Sequence, residues 1–282
     1  MANEIATQQQ PQQTLQQLMN SGAVMKKLND VLGSEKKAAS FVSSVISVAN
    51  GNSYLRNCNP MTILGSAMVA ATLDLPIVPT LGLAYIVPYK GQCQFQLGYK
   101  GLIELAERSG QFKNIIDEVV YDGQLVRKNR FTGEYEFDED ARLRDESGKP
   151  TEKVIGYMAR MDLINGFSKT IFWTKEEVEA HANKFSQAFR AKKGTPWVSD
   201  FDAMARKTVL KALFAKYAPK SVAIQNAIKF DQAVVKPNEG LTEEDLQIDS
   251  YDVEYADNEP IQEAVEEEVA PNGDLFNENN QK

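Results

Sequence analysis

Residues 87–101 read VPYKGQCQFQLGYKG, with two lysines, three glutamines, two tyrosines and no acid. Acids are absent from Leu75 through Ile103, although the chain carries a net charge of −8. A basic, amide-rich, aromatic strip suits contact with an anion. Residues for bond-breaking chemistry are scarce elsewhere. GxxxxGK[ST] does not occur, and the nearest stretch, Gly148-Lys149-Pro150, has proline where the metal-binding hydroxyl belongs. GxGxxG and GxSxG are absent too. The single histidine, His181, leaves no material for His-based metal sites or His-dependent triads. Cys58 and Cys93 have no CxxC partner and read as free thiols of a reducing compartment. Glu134–Asp140 (EYEFDED) could hold a divalent cation through carboxylates, as a nuclease would need. The run lies beside Gly133, in a segment 134–152 that reads as a solvated loop or hairpin tip.

The charge is segregated. Residues 239–282 hold 15 acids and one base, a net of −14, which leaves residues 1–238 at +6. A basic body with an acidic tail fits a nucleic-acid binder with a regulatory or partner-binding tail, although such tails also serve solubility alone. Met61–Leu73 (MTILGSAMVAATL) is the longest apolar run, the length of a buried core helix and too short for a bilayer. The Gln-rich start has none of the features of a signal peptide.

The elements that must position the strip follow from periodicity and caps. Residues 1–13 are low in complexity and expected to be disordered. Thr14–Leu32 has a helical pattern interrupted at Gly22. Ser34 caps a second helix to Ala49, and Asn59–Pro60 opens a third. GLAYIVPY and QCQFQL read as two strands about Lys90–Gly91. Cys93, Phe95, Leu97 and Tyr99 share one face, and Gln94, Gln96 and Gly98 the other. A helix runs over 99–109 and ends at Gly110. Further antiparallel strands fill 112–174, with a hairpin at Asn165–Gly166. Thr174-Lys-Glu-Glu177 is a capping box for a helix over 175–187. The basic linker AFRAKKGTPWVS carries Arg190, Lys192, Lys193 and Trp197. A helix over 200–217 follows, and the chain beyond about Gly240 reads as disordered. The result is an α+β fold: a helical N-terminal lobe, an antiparallel sheet core packed with helices, and an acidic tail. The expected division is 1–13, 14–238 for the DNA-binding and oligomerisation core, and 239–282.

On the 200–217 helix, Leu210, Leu213, Phe214 and Tyr217 share one face at about 100° per residue, with Lys207 and Lys211 one turn apart at its edge. Arg206 falls in the middle of the apolar face. It needs either a core carboxylate or a groove in which it meets phosphates. Trp197 reads equally as a core plug or a stacking platform, and His181 as a surface residue on a polar helix.

YIVPYKGQCQFQLGYKGLIELAERSG at 85–110 and TPWVSDFDAMARKTVLKALFAKYAP at 195–219 together resemble the phage RecT-type single-strand annealing proteins. LRNCNPMTILGSAMVAATLDL at 55–75 is similar to the region preceding them in that family. The resemblance covers residues 15–225 and extends to annealing proteins of the lambda Red-beta and Rad52 kind, which implies an antiparallel sheet backed by a helix. It implies ATP-independent binding of single-stranded DNA, its pairing with a complement, and retention of the duplex on a ring or helical filament. It implies a homo-oligomer in the bacterial host cytoplasm, working with a 5′-to-3′ exonuclease and a host single-strand-binding protein. No cofactor is required, and Mg²⁺ would act only as a modulator.

Under that resemblance the strip acquires roles. Lys100, Lys207 and Lys211, with Arg206 and the linker lysines Lys192 and Lys193, would attract the phosphate backbone. Gln94 and Gln96 would donate amide hydrogens to it. Gly98 and Gly101 would allow close approach. Tyr99 or Trp197 would stack on bases, with Tyr99 equally able to join the core face. The tail would cover the basic groove, or dock the exonuclease or single-strand-binding protein. Two other readings compete: a metal-dependent nuclease using the 134–146 acids, and a self-assembling structural phage protein.

Overall fold

The computed structural model describes residues 13–254, apart from 130, 145–146, 187–188, 191, 193–194, 220, 239–240 and 243. Helices come first: α1 (Leu15–Met19), α2 (Gly22–Leu32), α3 (Glu35–Gly51), α4 (Ser53–Arg56) and α5 (Pro60–Thr72). Side-chain caps set most of their starts, and those at Ser34 and Asn59 are the ones read from sequence. Thr14 and Gln17 form a capping box, Ser34 accepts from Lys37 N, and Asn59 accepts from Met61 N ahead of Pro60. A 3₁₀ turn at Pro79–Leu81 leads to β1 (Ala84–Tyr89) and β2 (Gln92–Leu97). Lys90 and Gly91 join them at φ 43° and 74°, the positive values of a two-residue hairpin turn.

The chain continues through α6 (Tyr99–Arg108), β3 (Phe112–Tyr121), β4 (Leu125–Asn129), β5 (Glu134–Phe137), β6 (Val154–Leu163) and β7 (Ser168–Thr174). Next come α7 (Lys175–Phe185), opened by the Thr174–Glu177 capping box, α8 (Pro196–Ser199), and α9 (Phe201–Tyr217), capped by Asp200. The last elements are α10 (Val222–Phe230), β8 (Ala233–Lys236), a 3₁₀ turn at Ile248–Ser250 and β9 (Asp252–Glu254). No described helix is long and apolar enough to cross a membrane.

The fold is α+β, with antiparallel sheets. The first sheet has the order β1-β2-β8-β9 and the second β3-β6-β7, while β4 and β5 form a separate ribbon. α5 is buried without a break from Thr62 to Ala71. A helix apolar all round must be enclosed, and this one is held between the first sheet and helices α1 and α2. Gly65 marks the closest approach, since a Cβ there would stand 2.1 Å from the Val235 carbonyl oxygen. α9 lies across the inward face of the second sheet, where Phe214 stacks on Phe112 at 5.1 Å and Asp202 accepts from the Tyr157 hydroxyl at 2.6 Å.

Two expectations change. A tail from residue 239 leaves out a stretch that is part of the fold. Leu246, Ile248 and Tyr251 are buried, and β9 pairs with β8 at Val234↔Glu254. These strands are four and three residues long, too short for periodicity to separate them from loop. His181 is half-buried between Trp173 and Phe185, with ring centroids 5.1 and 4.7 Å away, and burial lowers its pKa. The acid-rich segment does project as a hairpin and loop. Glu134, Glu136, Asp138, Glu139 and Asp140 are exposed, while Tyr135 and Phe137 pack against Phe172.

Candidate nucleic-acid interface

The junction between β2 and α6 is where predicted site residues meet. β2 alternates as expected: Cys93, Phe95 and Leu97 are buried, and Gln94 and Gln96 lie on the opposite face beside Val87 and Tyr85 of β1. Neither glutamine side chain is hydrogen-bonded to another described residue, and both are half-buried. Their amides are free to donate to a ligand. Lys100 follows in the first turn of α6, exposed and without a partner among the described residues.

α9 brings three cations to this junction, and two buried carboxylates fix them. Asp117 points inward from β3 toward α9 and is 5% exposed. Arg206 donates from Nε to its carboxylate and from Nη2 to its carbonyl oxygen, both at 2.8 Å. The Tyr99 hydroxyl donates to the same carboxylate at 2.5 Å. Asp231, just before β8, is also 5% exposed. It accepts the Leu97 N–H at 2.8 Å and pairs with the Lys211 ammonium. Lys207 sits near the same carboxylate without a bond to it or to any described residue. Burial holds the Lys207 pKa below the ordinary lysine value, Asp231 opposes that and Lys211 reinforces it. Asp117 thus holds Arg206, Asp231 holds Lys211 with Lys207 nearby, and Lys100 stands exposed beside them, with Glu118 also close to Arg206 and Tyr99.

Each predicted site residue has a definite place. Arg206 takes the core-carboxylate alternative, with its side chain still 36% exposed. Tyr99 is 37% exposed as a residue, with its hydroxyl fixed on Asp117. Trp197 is a core plug and not a stacking platform. It is 6% exposed and meets Phe189 edge-on at 5.3 Å and Phe201 at 5.5 Å. Gly98 and Gly101 allow close approach of the chain's own backbone. Added Cβ atoms would stand 1.9 Å from the Gly82 oxygen and 2.0 Å from the Leu83 oxygen. Lys192 is exposed at φ 56°, and no bond ties it to the junction. Lys193 lies outside the described residues. Among the described residues no three His, Cys, Asp or Glu side chains are grouped to hold a metal ion. The hairpin acids are strung along an exposed ribbon.

Sequence reasoning passed over Asp117, Asp231, Lys113 and Asn114. Lys113 and Asn114 join Tyr99, Lys100 and Ile103 around an open groove of about 490 Å³ between α6 and β3. Glu104 and Glu107 line the same groove, so its acid-free part is the N-terminal end of α6. One signal for Asp117 was available: Ile115, Asp117 and Val119 alternate along β3, with an acid at an apolar position.

Burial, then the Asp117 carboxylate, pushes the Tyr99 hydroxyl up to about 12. Its folded value lies above the unfolded value of about 10. The bonded, protonated Tyr99 therefore stabilises the fold fully below pH about 10, and that contribution fades as pH rises from about 10 toward 12. Urea midpoints at pH 9 and pH 11 should fall further for wild type than for Tyr99→Phe. Parallel falls would show that the hydroxyl does not take part.

A chain from Bacillus subtilis (strain 168), printed as uncharacterized protein YqaK, is 44% identical over 252 residues, covering 89% of this chain and 82% of its own length. Protein RecT of Escherichia coli (strain K12) is 29% identical over 187 residues, 63% of this chain and 65% of the relative. The RecT family profile matches residues 39–247, from α3 through the 241–254 segment's first turn, with the whole β2–α6–α9 junction inside it. The chain belongs to the RecT family of single-strand annealing proteins.

Proposed function

We propose that the protein binds single-stranded DNA along its sugar–phosphate backbone at the β2–α6 junction and pairs it with a complement, without ATP, as a ring or filament of identical subunits. The observation that carries this reading is the arrangement at the β2–α6 junction, where Asp117 holds Arg206 and the Tyr99 hydroxyl, Asp231 holds Lys211 and the Leu97 N–H, and the exposed Lys100 follows Tyr99. Charge and amide donors grip phosphates of any sequence and leave base edges free to pair. Tyr99, part-exposed at the junction, would stack on a base. Asp117 and Asp231 are positioning residues that aim the cations and touch no nucleic acid themselves.

The protein acts by binding rather than bond cleavage in this reading, needs no cofactor, and takes Mg²⁺ only as a modulator. Its substrate is single-stranded DNA exposed by a 5′-to-3′ exonuclease in the host cytoplasm, where a single-strand-binding protein shares the strand. Annealing is driven by tighter hold on two strands than on one, because contacts to the second strand add to base pairing. Sequential addition of two complementary oligonucleotides should leave a duplex retained far longer than a preformed duplex or a lone strand, with oligomers visible by electron microscopy. Equal retention of all three would overturn the reading.

A further inference from the structure

The geometry points to an occupant for the basic junction when DNA is absent: the acidic segment that follows β9. The inference rests on the DNA-binding reading above and adds a regulatory contact to it. β9 runs antiparallel to β8, and β2 also runs antiparallel to β8, with Gln94↔Val234 and Val234↔Glu254 in one row. β9 and β2 therefore point the same way. At Glu254, β9 points toward the Leu97–Gly98 end of β2, where Asp231, Lys207 and Lys211 lie.

The distances are short. Two strand spacings sideways and three residues forward put the junction about 14 Å from Glu254. Residues 255–262 span up to about 28 Å when extended. Beyond them come Glu263, Glu266, Glu267 and Glu268. The 28 residues after Glu254 hold eight carboxylates and one lysine. The surface they reach presents Lys100, at the acid-free N-terminal end of α6, and Lys207 and Lys211 around the carboxylate of Asp231. Lys207 shares the Asp231 carboxylate with Lys211 and lacks a bonded partner among the described residues. A tethered carboxylate run competes at an effective concentration in the millimolar range. It takes the positions of phosphates and is displaced by a strand that makes many contacts at once. Short or isolated single-strand contacts are suppressed, and extended ones persist.

The test is a full-length E263Q/E266Q/E267Q/E268Q variant titrated against labelled oligothymidylate. Its affinity should exceed wild type by about tenfold at 50 mM salt, and the gap should close at 200 mM as screening releases the wild-type segment. Equal affinities at 50 mM would overturn the inference. Carbodiimide cross-linking of the DNA-free wild type should join Glu263, Glu266, Glu267 or Glu268 to Lys100, Lys207 or Lys211, and oligonucleotide should abolish those links. Links to other lysines alone would overturn it. If neither protein binds oligonucleotide, the DNA-binding reading fails, and the cross-link map alone decides the contact.

Discussion

Asp231→Ala is expected to lower the unfolding free energy by about 3 kcal/mol, the lower end of the range for breaking a buried pair, because Lys211 stays partly in water. Three groups lose a partner at once. Lys211 loses its counter-charge, the Leu97 N–H loses its acceptor, and Lys207 loses a nearby carboxylate that favours its charged form. The carboxylate's side chain is 2% exposed against 30% for Lys211, so water can rescue the lysine better than the amide. Two comparisons separate charge from hydrogen bonding. Asp231→Asn keeps an acceptor for Leu97 and should cost about 1–2 kcal/mol. Lys211→Met should cost less than Asp231→Ala, because Lys207 remains beside the carboxylate. Equilibrium urea denaturation checks the series. A loss under about 0.5 kcal/mol for Asp231→Ala, the size typical of a neutral surface change, would remove Asp231 from its positioning role.

The double variant K100Q/K207Q should lose single-stranded DNA affinity by about 10- to 100-fold at 50 mM salt, with the salt slope falling by about 1.4 in log–log terms. These two lysines are chosen because neither is bonded to a described residue. Arg206 and Lys211 are poor probes, since each holds a buried carboxylate. Neutralising them would expose those carboxylates to the DNA and mix structural damage with lost attraction. Unchanged affinity and slope, measured by fluorescence anisotropy on protein with an unaltered denaturation midpoint, would move the DNA site elsewhere. A reduced slope with intact annealing would place these lysines in capture of the first strand and not in pairing.

Much of the fold was legible because its signals are local. The caps at Ser34, Asn59 and Thr174, the hairpin turns at Lys90–Gly91 and Asn165–Gly166, and the alternation along β2 are written in adjacent residues. α10, β8 and β9 were not legible. β8 finds its partner in β2, and the Leu97–Asp231 bond spans 134 positions. No window of sequence holds both partners. The cations were found by type and helical angle, but the two carboxylates that aim them were not. Asp117 sits among apolar residues of a strand, and Asp231 follows a helix end, where an acid passes for an ordinary cap. Trp197 shows the opposite difficulty: its flanking residues allowed exposure and burial equally, and only Phe189 and Phe201 decide the matter.

The enclosure of α5 bears on the protein's birth on the ribosome. α5 is complete once residue 72 has emerged, but β8, which covers it at Gly65, ends at Lys236. At about 5–20 residues per second, translation leaves this oily helix without the β8 part of its cover for roughly 8 to 33 seconds. A nascent chain in that interval is a natural client for chaperones that clasp apolar segments.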